Sequence, residues 1–269
     1  MSAAFADVTT SPRAIRPGEG GAGYREAVWS EWTKFRTVRS TLAVTAALGA
    51  MFPIFAVVVA ATDSLQPDDT ILGASLLGGA VLAQVLAAAL GASLITAEFK
   101  SGMIRTTLAA CPRRLVVLAA KATVAAGVVA AVTLPSATAA FAVGRVVLDG
   151  ETYATGDPFP ALLGVVLAIA SIAVLGVGVG TIVRHSAGAV AAVIGVVLLP
   201  GFVAPLLGDL QRWLGGASLN GVLQKLTQSS DATHDAVGSL GAWPSLAVVA
   251  AYTTATVLGA VWVLRHRDT

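Results

Sequence analysis

The chain has 269 residues, 56% of them hydrophobic and 12% charged, with a formal net charge of +2. Soluble domains carry roughly 25% charged residues, so this composition points to the membrane, and the small positive balance gives no case for a nucleic-acid partner. A single cysteine, Cys111, excludes an internal disulfide and a cysteine-based zinc site.

Residues 1–23 are rich in Gly, Ser and Pro with scattered charge and are expected to be a disordered tail. No apolar run precedes residue 40, so no cleavable signal peptide is expected. Tyr24 to Arg39, YREAVWSEWTKFRTVR, reads as an amphipathic helix over 24–39. Tyr24, Val28, Trp32, Phe35 and Val38 share one face, flanked by Arg25, Arg36 and Arg39. Such a helix is expected to lie flat at the interface, as an anchor or as a surface that also touches a cytoplasmic partner.

Six nearly uncharged blocks follow, at about 41–61, 71–97, 122–144, 161–183, 187–207 and 243–264. A hydrocarbon core of ~30 Å takes about 20 residues of helix, so residues 24–269 are expected to form one all-α, polytopic membrane domain with six transmembrane helices. Lys121 and Arg145 bracket the third block and are expected to snorkel to opposite interfaces. Ala83, Ala87 and Gly91, and Gly176 and Gly180, repeat every four residues; such small residues let helices approach closely, within one chain or across a dimer seam.

Between the second and third blocks, Gly102 and Pro112 bracket about two helical turns with Met103, Ile104, Thr107 and Leu108 on one side and Arg105 on another. A short helix with an apolar face and no lipid to cover it is expected to enter a protein groove or to pack on its own bundle. Near the end, Leu219, Val222, Leu223 and Leu226 recur at i, i+3, i+4, i+7. Short helices dipping into the outer leaflet are expected over 208–226, followed by a loose polar stretch from Gln228 to Ser239.

Fourteen of the 17 Lys and Arg fall on one side of this layout: Arg13, Arg16, Arg25, Lys34, Arg36, Arg39, Lys100, Arg105, Arg113, Arg114, Lys121, Arg184, Arg265 and Arg267. The other side holds Arg145, Arg212 and Lys225 and most of the acids, among them Asp63, Asp149, Glu151 and Asp231. The positive-inside rule therefore places both termini in the cytoplasm.

No block contains Asp or Glu, which weighs against an ion-driven transporter, since such proteins usually bind the driving ion at a carboxylate in mid-membrane. Gln84 is the best polar candidate for that reading. GVGVG at Gly176 lies inside a span with no preceding strand and lacks the third glycine of a nucleotide loop. His185, His234 and His266 lie in separate loops, and no Walker phosphate cradle or catalytic constellation is present.

SEWTKFRTVRST (Ser30 to Thr41) together with ITAEFKSGMIRTTLAACPRRLVVLAAK (Ile95 to Lys121) resembles the permease subunits of type-2 (ABC-2) exporters, most closely the small permeases common in actinobacteria. The resemblance runs from Tyr24 onward and implies a non-enzymatic transport subunit in a bacterial plasma membrane. ATP and Mg would be bound by a separate ABC ATPase subunit, with no cofactor in this chain. A second permease, here a homodimer, would complete the path for an amphiphilic or drug-like substrate leaving the cell, in contact with membrane lipid. Gly102 to Ala109 would be the coupling helix. The interface with the ATPase would comprise Glu98, Phe99, Met103, Ile104, Arg105, Thr107, Leu108, Arg113 and Arg114. Glu31, Lys34 and Arg36 would join it from the amphipathic helix, and Arg184 and His185 from a second loop. The alternatives are an ion-driven secondary transporter and a non-transporting membrane component.

Overall fold

The computed structural model describes residues 23–62, 68–148, 153–230 and 232–266. The tail before residue 23, Arg13, Arg16, Asp63, Asp149, Glu151, Asp231 and Arg267 lie outside them. The described residues are helical, apart from turns and one isolated parallel bridge between Thr70 and Ala154. Helix α1 spans Tyr24–Thr37, and α2 spans Arg39–Thr62 after an extended Val38. The long helices α3 (Ile71–Ser101) and α5 (Arg114–Val147) flank the short α4 (Met103–Ala110). Then come α6 (Pro158–Val183) and α7 (Ser186–Val203). Two 3₁₀ turns lead to α8 (Gln211–Ala217), α9 (Leu219–Leu226), α10 (His234–Val237) and α11 (Ala242–His266).

Six of these helices, α2, α3, α5, α6, α7 and α11, are long and apolar enough to cross a membrane. The chain is an all-α polytopic membrane protein. At 1.5 Å per residue, α3 and α5 are roughly 46 and 51 Å long, well beyond a ~30 Å hydrocarbon core. The surplus is visible in α5, which begins at Arg114 and not near residue 122 as the hydropathy suggested. Arg113 and Arg114 sit at its start, and LVVLAA continues the helix without a break.

α3 and α6 form the centre of the bundle and are its most buried helices. Their contact explains the small-residue spacing. A Cβ on Gly176 would meet the Ala88 carbonyl oxygen at 2.7 Å, and one on Gly180 would meet the Ala92 oxygen at 3.0 Å. A Cβ on Gly91 would run into the Ala173 carbonyl. The motif thus closes α3 on α6 within one chain. Several hydroxyls in the spans are satisfied locally: Ser75 donates to the Ile71 oxygen at 2.6 Å, Thr96 to Ala92 at 2.9 Å and Thr181 to Val177 at 2.7 Å. Among the described residues the buried Thr133 and Thr253 hydroxyls make no hydrogen bond, and neither do Oε1 and Nε2 of the fully buried Gln84.

At one end the bundle is closed by α8 to α10. All four residues of the Leu219 stripe are buried against the spans, with Leu226 filling the space above Gly164. The stripe thus faces the bundle and not the outer leaflet: α9 packs on α3, α6, α7 and α11, which take its apolar side. Part of the stretch expected to be loose is helix α10. Gln228 fastens this end by accepting from Asp157 N at 3.2 Å and donating to Asp157 O at 3.3 Å, while its own carbonyl accepts from the Thr70 hydroxyl.

Candidate functional site

At the opposite end, α1, α3, α4 and α5 converge on four charged side chains. α1 turns Ala27, Glu31 and Phe35 inward, spaced i, i+4, i+8, and all three are buried. Of the expected apolar face, Phe35 is buried and Val28 half-buried against the bundle, Tyr24 and Trp32 are exposed, and Val38 lies in the extended link. A carboxylate occupies the middle of the buried stripe because two ammonium groups await it. Lys121 Nζ lies 2.5 Å from Glu31 Oε2 and 2.7 Å from Glu98 Oε1. Lys34 Nζ lies 2.8 Å from Glu31 Oε1 and 2.7 Å from the same Glu98 Oε1. Each lysine therefore touches both acids, and the formal charge of the cluster is zero.

Lys121 is fully buried, which corrects the expectation that it snorkels; α5 starts two turns earlier, so the lysine sits inside the helix and faces Glu31 and Glu98. Lys34 remains about one-third exposed. Burial alone would lower its pKa, but the hydrogen bonds and charges of Glu31 and Glu98 outweigh that and hold it above the ordinary lysine value. A buried ion group of this kind adds little net stability over an apolar replacement, but losing one partner is costly. Its effect is to fix geometry: α1 cannot leave α3 and α5 without exposing unpaired charge.

The cluster reaches α4 through one further contact, Lys34 Nζ to Thr107 Oγ1 at 3.4 Å. α4 is reached from α3 by Gly102, whose φ of +71° lies in the left-handed region. Its N–H closes the end of α3 on the Phe99 oxygen, and glycine adopts this conformation without the Cβ penalty. Ile104 is buried against the bundle, so of the two alternatives for the apolar side of α4 this residue packs on its own bundle and is withdrawn from the free surface of the interface expected for it. The surface α4 leaves free carries Met103, Arg105, Thr106, Ala109 and Ala110, with Thr107 and Leu108 half-buried. A cleft of about 270 Å³ separates α4 from α1, lined by Glu26, Ser30, Lys34, Met103, Thr106 and Ala110 among others.

The remaining predicted residues gather at the same end. Arg184, at the left-handed end of α6 with φ of 59°, lays its guanidinium 5.3 Å from the centre of the Phe99 ring. His185 Nδ1 accepts from Gly188 N at 3.2 Å and caps α7. Arg36 stacks over Trp32 at 5.8 Å, and Trp32 lies parallel to Phe35. Arg113 is exposed and Arg114 half-buried where α5 begins. Glu31 and Glu98 are instead turned inward, so their surface is spent on the two lysines. Lys121 was missed as a member of the site, although the match of two acids and two lysines near the ends of α1, α3 and α5 was a usable signal.

A family model described as ABC-2 family transporter protein matches residues 27–205. The chain belongs to the ABC-2 transporter family. The match opens inside α1, takes in the charge cluster, α4 and the first five membrane helices, and stops in the turn that precedes α8. This ABC-2 permease is thus a multi-pass membrane component of a transport system, and the family in general works with an ABC ATPase. No individual curated protein matches the chain.

Proposed function

We propose that this chain is the transmembrane subunit of an ATP-driven exporter. Its α4 helix is the element on which a separate ATPase subunit acts. The observation that carries the reading is the way α4 is held. The Gly102 turn projects it from the end of α3, Ile104 anchors it from within, and Lys34 ties it to α1, which is locked to α3 and α5 by the charge cluster. A push on α4 is thereby delivered to three helices at once.

Energetics support the same conclusion. Uphill movement of a solute needs a free-energy source, and the sequence offers neither a phosphate-binding loop nor a carboxylate in the middle of a span. Hydrolysis in a partner would supply it by favouring one state of the bundle over another, which requires differential contact with the two states. Helices ending in a rigid polar knot and a docked α4 provide that contact. Arg105, Thr106 and Arg113 on the free surface are the residues assigned to the partner, with Arg36 beside them on α1 and Arg184 and His185 as a second contact.

Sidedness follows from charge. Of the described cations, Arg25, Lys34, Arg36, Arg39, Lys100, Arg105, Arg113, Arg114, Arg184 and Arg265 lie at or beyond the helix ends that carry α4, and Lys121 lies two turns inside α5 at that same end. By the positive-inside rule that end is assigned to the cytoplasm; the resemblance to small actinobacterial permeases supports a bacterial plasma membrane. The cargo assigned is an amphiphile, and the second permease is another copy of the chain. The test is transport in proteoliposomes holding this chain and an ABC ATPase subunit purified with it. ATP-dependent movement of an amphiphilic dye that stops with Arg105→Glu supports the reading. Movement that persists without nucleotide and collapses with a protonophore overturns it.

A further inference from the structure

On the side of α1 away from α5, a second cleft of about 340 Å³ opens between α1, the start of α2 and the last turns of α3. Glu31, Lys34, Glu98 and Lys121 all line it, and Val38, Leu94 and Met103 give it apolar walls. Leu94 precedes Glu98 by one turn, so the two share a side of α3, with the leucine nearer the middle of the span. On α3 the lining therefore passes from charged to apolar on going into the membrane.

The charged part is short of donors. Glu98 Oε1 accepts from both ammonium groups, 2.7 Å from each. Its other oxygen, Oε2, is buried and has no hydrogen-bond partner among the described residues. Leaving a buried charged oxygen without a donor is costly. Each ionised carboxylate accepts at roughly four positions, whereas each ammonium has only three N–H, and Lys34 also reaches Thr107 Oγ1. An anion brought here would meet two carboxylates already in place. A neutral apolar molecule would use the walls and leave Oε2 bare. A primary ammonium brings three further N–H, and its bonds to a carboxylate are charge-assisted. Lys34 is about one-third exposed, so it has water to turn to, and a second cation can enter without leaving the site positively charged.

We propose that this cleft binds a primary-ammonium amphiphile, whose ammonium donates to Glu98 Oε2 and whose apolar body lies along Leu94, Val38 and Met103. A free long-chain amine and the ethanolamine headgroup of a phospholipid both carry that chemistry. The inference stands on the charge cluster and the cleft, not on export. Binding without ATP-driven transport would leave it intact and count only against the export reading.

The test is native mass spectrometry of the full chain in neutral detergent, titrated with octylammonium or octyltrimethylammonium. The two share a charge and a chain, but only the first has N–H donors. The wild type is expected to retain one octylammonium about tenfold or more tightly than the quaternary cation. Lys34→Met with Glu98→Gln leaves the neutral Glu31–Lys121 pair and should abolish that preference. Ala97→Phe sets a ring in the cleft without touching an ion and should weaken octylammonium binding, whereas Arg212→Gln at the far end should not. Equal retention of the two cations by the wild type overturns the proposal, and this comparison needs no variant to fold. An unchanged preference in the double variant, or wild-type binding by Ala97→Phe, overturns it as well. Displacement of octylammonium by dioleoyl phosphatidylethanolamine but not by dioleoyl phosphatidylcholine supports the site with a bilayer lipid as its source. Displacement by neither supports it with a free amine. Equal displacement by both lipids shows that acyl chains alone fill the cleft and refutes it.

Discussion

Removing Lys121 should do more harm than removing any other charge in this protein. Its ammonium is 1% exposed and lies 2.5 and 2.7 Å from Glu31 and Glu98, whose side chains are only 8% and 6% exposed. Lys121→Met leaves both carboxylates buried and sharing Lys34 alone, so the cluster carries an uncompensated negative charge. Breaking a buried pair in this way costs about 3–5 kcal/mol. Lys34 is 31% exposed, and solvent can replace part of what it supplies, so Lys34→Met should cost about 1–2 kcal/mol. Adding Glu98→Gln to Lys121→Met restores neutrality with the Glu31–Lys34 pair, and at least half of the loss should return. The assay is equilibrium unfolding in mixed micelles, followed by tryptophan fluorescence and read as a double-mutant cycle. A Lys121→Met variant within about 1 kcal/mol of the wild type, or no recovery on adding Glu98→Gln, would refute the assignment of the cluster as a structural lock.

Other expectations use the same measurements. Gly102→Ala meets open space, so its cost should be the left-handed backbone alone, about 1 kcal/mol. Gly91→Ala drives a methyl into the Ala173 carbonyl and should cost about 1–3 kcal/mol; equal melting temperatures for the two variants would contradict the packing described. Ile104→Asp buries a charge and should unfold the α4 end, whereas Arg105→Ala should leave stability within about 0.5 kcal/mol and lower only transport-coupled ATP hydrolysis. Gln84→Leu removes two unpaired buried polar atoms and should stabilise by about 1–3 kcal/mol; destabilisation would show that Gln84 has a partner in the working protein. Because Lys34 is held above the ordinary lysine value of 10.5, the stability it contributes is full below that pH and is lost as pH rises through its raised pKa. Lys34→Met should flatten that alkaline loss in unfolding curves, and an unchanged alkaline slope would count against the ion pairs.

The spans were legible because hydropathy over 20 residues is a local property, and all six helices lie where the apolar blocks put them. The small-residue repeats also announced close packing, although only the partner helix could say whether Gly91 and Gly176 meet each other or a second chain. What was not legible was pairing at long range. Lys121 lies 90 positions from Glu31, and nothing local distinguishes a lysine that snorkels from one that turns inward to two carboxylates. Glu31, which the resemblance implied as a partner contact, is likewise turned inward, as the spacing it shares with Ala27 and Phe35 allows. For Ile104 and the Leu219 stripe an apolar side was recognised, but spacing alone could not say that the surface covering it belongs to the bundle. Gly102, by contrast, could be read directly, since glycine between two helical stretches marks a left-handed turn.

If a partner ATPase seats on the free surface of α4, its binding must shield that helix. This is tested most directly by hydrogen exchange on the reconstituted chain, with and without the ATPase subunit that purifies with it. The account predicts that amides of Met103–Ala110, and of α1 across the cleft, become protected when that subunit is added, and that Arg105→Glu abolishes the protection while α3 and α5 exchange as before. Protection confined to other segments, with α4 exchanging at the same rate in both samples, would contradict it.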